Sequence, residues 1–108
     1  MSLVRWSNVN KSGVTTPVSI KASPGTVGAI HIDNSSGAAA VYVQLLDSPT
    51  GTLGSNIIDS IYVAVGDTWG MVYPASGLFT LNGIAVGSAT TYSGSTTGTA
   101  VNITVTYR

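Results

Sequence analysis

The last eight residues, VNITVTYR (101–108), alternate without a break. Val101, Ile103, Val105 and Tyr107 fall on one side, and Asn102, Thr104 and Thr106 on the other. Successive side chains of an extended chain point to opposite faces, so a period of two marks a strand with one face buried and one wet. The rhythm recurs along the chain. In VTTPVSIKA (14–22), Val18, Ile20 and Ala22 oppose Ser19 and Lys21, and in AIHID (29–33), Ile30 and Ile32 oppose His31 and Asp33. Val41, Val43 and Leu45 alternate with Tyr42, Gln44 and Leu46. In IIDSIYVAV (57–65), Ile61, Val63 and Val65 are expected inward, with Ser60, Tyr62 and Ala64 outward. TWGMVY (68–73) and LFTLNGIAVGSATT (78–91) supply further strand segments, and no long helix is visible.

The breaks between these runs carry turn chemistry. Pro17 cannot donate a ladder hydrogen bond, which places it at an edge or a strand start. Ser23-Pro24-Gly25-Thr26 reads as a type II turn, with Pro24 presetting φ and Gly25 supplying the positive φ that follows. Asn34 to Gly37 separates two alternating runs, so residues 29–46 read as a hairpin. Residues 48–56 form a Gly-, Ser- and Thr-rich loop, Gly66-Asp67 turns the chain, and Pro74 to Gly77 breaks it again. Asn82-Gly83 is a strong hairpin signal because both residues tolerate positive φ; the alternative is a glycine bulge in one bent strand. Residues 88–100 have the lowest complexity and read as an exposed loop.

About eight short strands with frequent turns specify an all-β chain, a two-sheet antiparallel β-sandwich of jelly-roll-like or immunoglobulin-like order. The chain has 108 residues, enough for one domain. That domain is assigned to residues 14–108. Residues 1–13 read as a largely polar N-terminal arm in which Leu3, Val4 and Trp6 give it something to bury.

Composition supports this class. Thirteen Val, eight Ile and fourteen Thr favour strands, because branched side chains fit a pleated surface. Only 7 % of residues are charged, against about 25 % in an average protein. The net charge is zero, with Arg5, Lys11, Lys21 and Arg108 balancing four Asp and no Glu. Such a chain has no basic cluster to neutralise phosphates, so nucleic acid is not an expected partner. A low net charge also does little to prevent association, which fits a subunit buried among copies of itself. The chain has no Cys, so disulfides and thiolate metal sites are excluded. No run approaches the roughly 20 apolar residues that span a bilayer, and the opening MSLVRWSNVNKSG lacks the apolar core of a secretory signal.

Residues that carry chemistry are sparse. His31 and Asp33 share a face about 7 Å apart along a strand, and such a pair orients an imidazole for base catalysis only with a nucleophile in reach. No G-x-S-x-G elbow is present, so the pair reads as an exposed polar pair and no catalytic residue is assigned. One His and four scattered Asp give no zinc spacing, and no calcium-hand pattern occurs. Asp59 and Asp67 near strand ends would be the nearest to a calcium site but read as solvated turn residues. No cofactor and no metal are expected. Tyr42 and Tyr62 project outward, while Trp6 and Trp69 are not placed by the pattern. A flat aromatic row would suit sugar rings; otherwise Trp69 fills the core and Trp6 pins the arm.

Three segments, TVGAIHIDNSSGAAAVYVQLLD, YPASGLFTLNGIAVGSATT and VNITVTYR, together resemble a family of small β-sandwich proteins encoded among the structural genes of tailed bacteriophages. The correspondence runs through Gly28 to Ser36, Tyr42 to Asp47, Gly77 to Thr80 and Gly83 to Val86, and covers residues 14–108. Leu46 departs from the usual Tyr, and the 88–100 loop is unusually rich in Ser and Thr. The resemblance implies a non-enzymatic virion component, such as a head decoration, head fibre or capsid-associated subunit, made in the host bacterial cytoplasm. Its implied partners are itself, with a trimer as one form, and other virion proteins, without nucleic acid or membrane. Contacts are expected at Leu3, Val4, Trp6, Tyr42, Tyr62 and Trp69. The alternative is a carbohydrate-binding or adhesin-like module, the one case in which a glycan is a partner.

Overall fold

The computed structural model describes residues 5–74 and 76–108. Nine strands follow in chain order: β1 (Ser7–Val14), β2 (Val18–Lys21), β3 (Thr26–Asp33), β4 (Val41–Leu46), β5 (Ile57–Val63), β6 (Thr68–Val72), β7 (Leu78–Phe79), β8 (Ile84–Ala89) and β9 (Val101–Tyr107). No helix occurs among the described residues. Sheet A has the order β1-β9-β3-β6, with β7 also pairing with β3; sheet B has the order β2-β8-β4-β5. Every strand pair is antiparallel. The two sheets pack as a β-sandwich, the class the alternation specifies.

The core lies between the inner faces. Sheet A supplies Ile30 and Ile32 of β3 and Val101, Ile103 and Val105 of β9. Sheet B supplies Val41, Val43 and Leu45 of β4, Ile61 and Val63 of β5, and Ile84 and Val86 of β8. Each is in the phase read from the sequence where a phase was assigned. Full burial of such a side chain stabilises the fold by about 1.5–3 kcal/mol.

Alternation assigns faces but not neighbours, and two expected hairpins do not form. Residues 29–46 are not a hairpin, because β3 lies in sheet A and β4 in sheet B. The connection crosses the sandwich and is organised by Asn34, only 1 % exposed. Its Nδ2 donates to the carbonyls of Ala39 (3.0 Å) and Ala64 (3.1 Å). Its backbone N–H donates to Asp67 O, and its carbonyl accepts from Gly37 and Gly66. The β3–β4 and β5–β6 crossings are thereby tied together. Asn82-Gly83 likewise joins β7 in sheet A to β8 in sheet B. Neither residue has positive φ. Gly83 is needed for closeness, since a Cβ there would stand 2.6 Å from Pro49 Cα. Gly25 also lacks the expected positive φ, and a Cβ there would meet the Arg108 carbonyl at 2.7 Å.

The expected arm over residues 1–13 is sheet from Ser7 onward. β1 pairs with β9 from Ser7↔Tyr107 to Val14↔Val101. The polar sequence hid this, because Asn8 and Asn10 face solvent and Lys11 occupies an inner-face position opposite Ile103. Leu3 and Val4 lie outside the described residues. Val65, expected inward, is 56 % exposed, because β5 ends at Val63 and the chain has begun to cross.

Candidate functional site

The two outer faces of the sandwich are treated differently by the chain. Sheet B is roofed by its own loops. Gln44 points outward from β4 yet is fully buried. Its Nε2 donates to the carbonyls of Tyr92 (3.3 Å) and Gly94 (2.9 Å), and its Oε1 accepts the Gly54 N–H (2.9 Å). Ser60 Oγ, beside Gln44 on the same face, donates to Tyr92 O. Residues 90–100 are mostly exposed, as expected of a loop, while 88 and 89 end β8; within that loop Tyr92 and Gly94 are tied down over the sheet. On the other half of this face Leu46 and Leu53 are buried. Gly87 makes room there, since a Cβ on it would stand 2.8 Å from Leu53 Cδ2.

Among the described residues sheet A has no such cover. Its outer side chains stand in cross-strand rows: Asn8–Thr106–Ala29–Val72, then Asn10–Thr104–His31–Gly70, then Asn102–Asp33–Thr68. Across β1 and β9 the rows are joined by hydrogen bonds, from Thr106 Oγ1 to Asn8 Oδ1 and from Asn10 Nδ2 to Thr104 Oγ1 (2.7 Å). The small residues Gly28, Ala29 and Gly70 leave a trough beside this ladder. One groove of about 330 Å³ runs between Trp6, Gly28, Tyr73, Pro74 and Gly77; a second, of about 250 Å³, lies beside His31, Gly70 and Thr104. They share Ala29, Val72 and Thr106 and so form one trough. Asp33 is the one carboxylate in the rows, so the face is close to neutral.

Trp6 closes one end of the trough. Gly28 is the extra residue where the β3–β9 register shifts. A Cβ there would lie 2.6–2.9 Å from three consecutive atoms of the indole, so the ring lies face-on over this glycine. The Arg108 guanidinium stands 4.3 Å from the ring centroid, a cation–π contact. Trp6 therefore lies against the sheet just ahead of β1.

The other expected contact residues fall elsewhere. Trp69 packs against the core from β6. Tyr42 and Tyr62 are brought together on sheet B at 5.3 Å with planes at 61°, and Tyr92 joins Tyr42 at 6.2 Å and 78°. These rings meet edge to face and present no flat row. Tyr92 was not singled out from sequence, and its loop location gave no signal. Val72, 81 % exposed, was also missed, although its place in TWGMV puts it opposite Trp69 and Met71 in phase.

The titratable groups are engaged locally. Asp33 turns to Ser35, accepting from its Oγ and its N–H (2.9 Å). These bonds hold the Asp33 carboxyl below the usual carboxylate range against a small desolvation, with His31 a minor contributor. Desolvation pushes the Asp47 carboxyl up, but bonds from the N–H groups of Leu81, Asn82 and Gly83 outweigh it and leave it lowered. Tyr73 Oη donates to Asp59 Oδ2 at 2.7 Å; burial first, then this carboxylate, push the phenol well above its ordinary range. Among the described residues no group of three His, Cys, Asp or Glu converges as a metal site.

No protein-family model matches the chain, and neither a curated protein nor a solved structure matches it.

Proposed function

We propose that the protein is a non-enzymatic structural subunit that works by contact, a phage virion component of the head-decoration, head-fibre or capsid-associated type. The observation that carries this reading is the asymmetry of the sandwich. One outer face is closed by the chain's own loops through Gln44 and Ser60. The other is left as a nearly neutral trough with Val72 exposed. A charge-poor surface of this kind costs little to desolvate, which suits burial against a neighbour. The strand orders β1-β9-β3-β6 and β2-β8-β4-β5, with the two-residue β7 set aside, support a jelly-roll reading. The sequence resemblance to phage structural proteins supports the virion assignment.

Multi-angle light scattering on the purified chain tests the reading. The expected result is a defined homo-oligomer; a monodisperse monomer at high concentration would count against it. A glycan array separates the carbohydrate-binding alternative, for which the edge-to-face tyrosines offer no stacking platform.

A further inference from the structure

Apart from the two-residue β7, which continues the β6 edge along β3, the two sheets have four edge strands among the described residues, and three of them carry devices that discourage pairing. β1 places Lys11 on its inner face, shifts register between Lys11 and Val14, and has Gly13 at φ 63°. β2 is four residues long, follows Pro17 and shifts register. β5 shifts register where it meets Leu45 and Leu46, and carries Asp59. Inward charges, bulges, proline and brevity are the usual protections of an exposed edge. β6 has none of them. It reads Thr68-Trp69-Gly70-Met71-Val72, without charge or proline, and pairs with β3 in unbroken register.

The phase of its backbone follows from two hydrogen bonds. Tyr73 N–H donates to Gly28 O, and Asn34 N–H donates to Asp67 O. In an antiparallel ladder bonded and non-bonded pairs alternate. Trp69 and Met71 therefore bond to β3, while the N–H and C=O groups of Thr68, Gly70 and Val72 point to the open edge. None of these takes a partner among the described residues. The strand thus presents three donors and three acceptors in strict alternation.

We infer that β6 pairs antiparallel with β6 of a second copy, about a two-fold axis at Gly70. This rests on the contact reading above, names its partner as a second copy, and adds the β6 edge beside the trough as the surface of contact. Thr68 stands opposite the partner copy's Val72, and Gly70 opposite the partner copy's Gly70. Each of these pairs is of the bonded kind, so every outward group on both strands is satisfied. Trp69 faces Met71 of the other copy on the inner side, extending both cores with a sulfur–aromatic contact. Val72 is covered on the outer side. The self-complementarity favours a second copy over a different protein, and an uncharged strand on a chain of zero net charge brings no repulsion. The two-fold axis makes the basic unit a dimer.

Sedimentation equilibrium tests this on the full chain and three variants. Gly70→Pro removes an N–H that faces away from β3, and Val72→Lys installs the missing edge charge. Ser55→Lys adds the same charge on a loop over sheet B. The expected result is a dimer mass for the wild type and Ser55→Lys, and a monomer mass for Gly70→Pro and Val72→Lys. If Gly70→Pro does not fold, Val72→Lys decides. Self-association unchanged by the β6 variants would overturn edge pairing and leave the contact reading standing. A wild-type monomer at all concentrations would overturn both.

Discussion

Replacing Gln44 by Ala tests the roofing of sheet B. The side chain is fully buried and its amide makes three hydrogen bonds to loop backbone, two donated and one accepted. Truncation leaves the carbonyls of Tyr92 and Gly94 and the N–H of Gly54 without these partners. A buried backbone group stripped of its partner costs about 1–3 kcal/mol. Water entering from the loop side recovers part of that, and the lost methylene contacts add roughly 1 kcal/mol. The expected loss is about 3–4 kcal/mol, at the upper end for a single substitution. Urea unfolding at neutral pH reads it as a drop in midpoint at constant slope, and limited proteolysis should cut the 90–98 segment faster. Gln44→Glu sharpens the test, since a carboxylate cannot donate to two carbonyls. It should be at least as damaging at pH 7 and partly recover on acidification, when the acid regains one donor. A loss within about 0.5 kcal/mol for Gln44→Ala, the range of an ordinary surface change, would refute the roofing argument.

Other outcomes follow from the same structure. Ile103→Ala empties a fully buried position of β9 and should cost about 3–4 kcal/mol in the same urea assay. Gly28→Ala puts a methyl 2.6 Å from the Trp6 ring, so the indole must lift and its emission should shift to the red. Asp33 and Asp47 both have lowered pKa values, so their contribution is present above the unfolded pKa near 4 and is lost as pH falls below it. Acid titration of stability should show that loss, reduced in Asp47→Asn. Tyr73 runs the other way: its pKa is raised, so its contribution holds below pH about 10 and declines as the unfolded phenol ionises above it. Tyr73→Phe should flatten the alkaline decline.

The sequence was most readable where one face of a strand is dry. Ile30, Ile32, Val43, Ile61, Ile103 and Val105 are where alternation puts them, because period two is a geometric property of extended chain. Strand partners were not readable. Alternation states that a residue is inside without stating which sheet it belongs to, and the crossing at Asn34 uses the same turn-forming residues a hairpin would. Gly25 and Gly83 were read through φ, but both are glycine because another chain segment passes within 3 Å, a long-range fact. β1 was missed because an edge strand over a polar ladder needs little apolar alternation. Gln44 is a polar residue at an outward position, and its burial depends on a loop nearly fifty residues away. At the candidate surface, Trp6 was identified but the trough was not, since it is shaped by what Gly28, Ala29 and Gly70 lack.

Residue-resolved amide exchange at low and high protein concentration addresses the central claim, that the outer face of sheet B is closed by its own chain and the β6 edge by a second copy. Gly54 N–H, held by Gln44 Oε1, should be protected equally at both concentrations. The amides of Thr68, Gly70 and Val72 should exchange fast when dilute and slow when concentrated. Fast exchange at those three amides under both conditions would contradict the account.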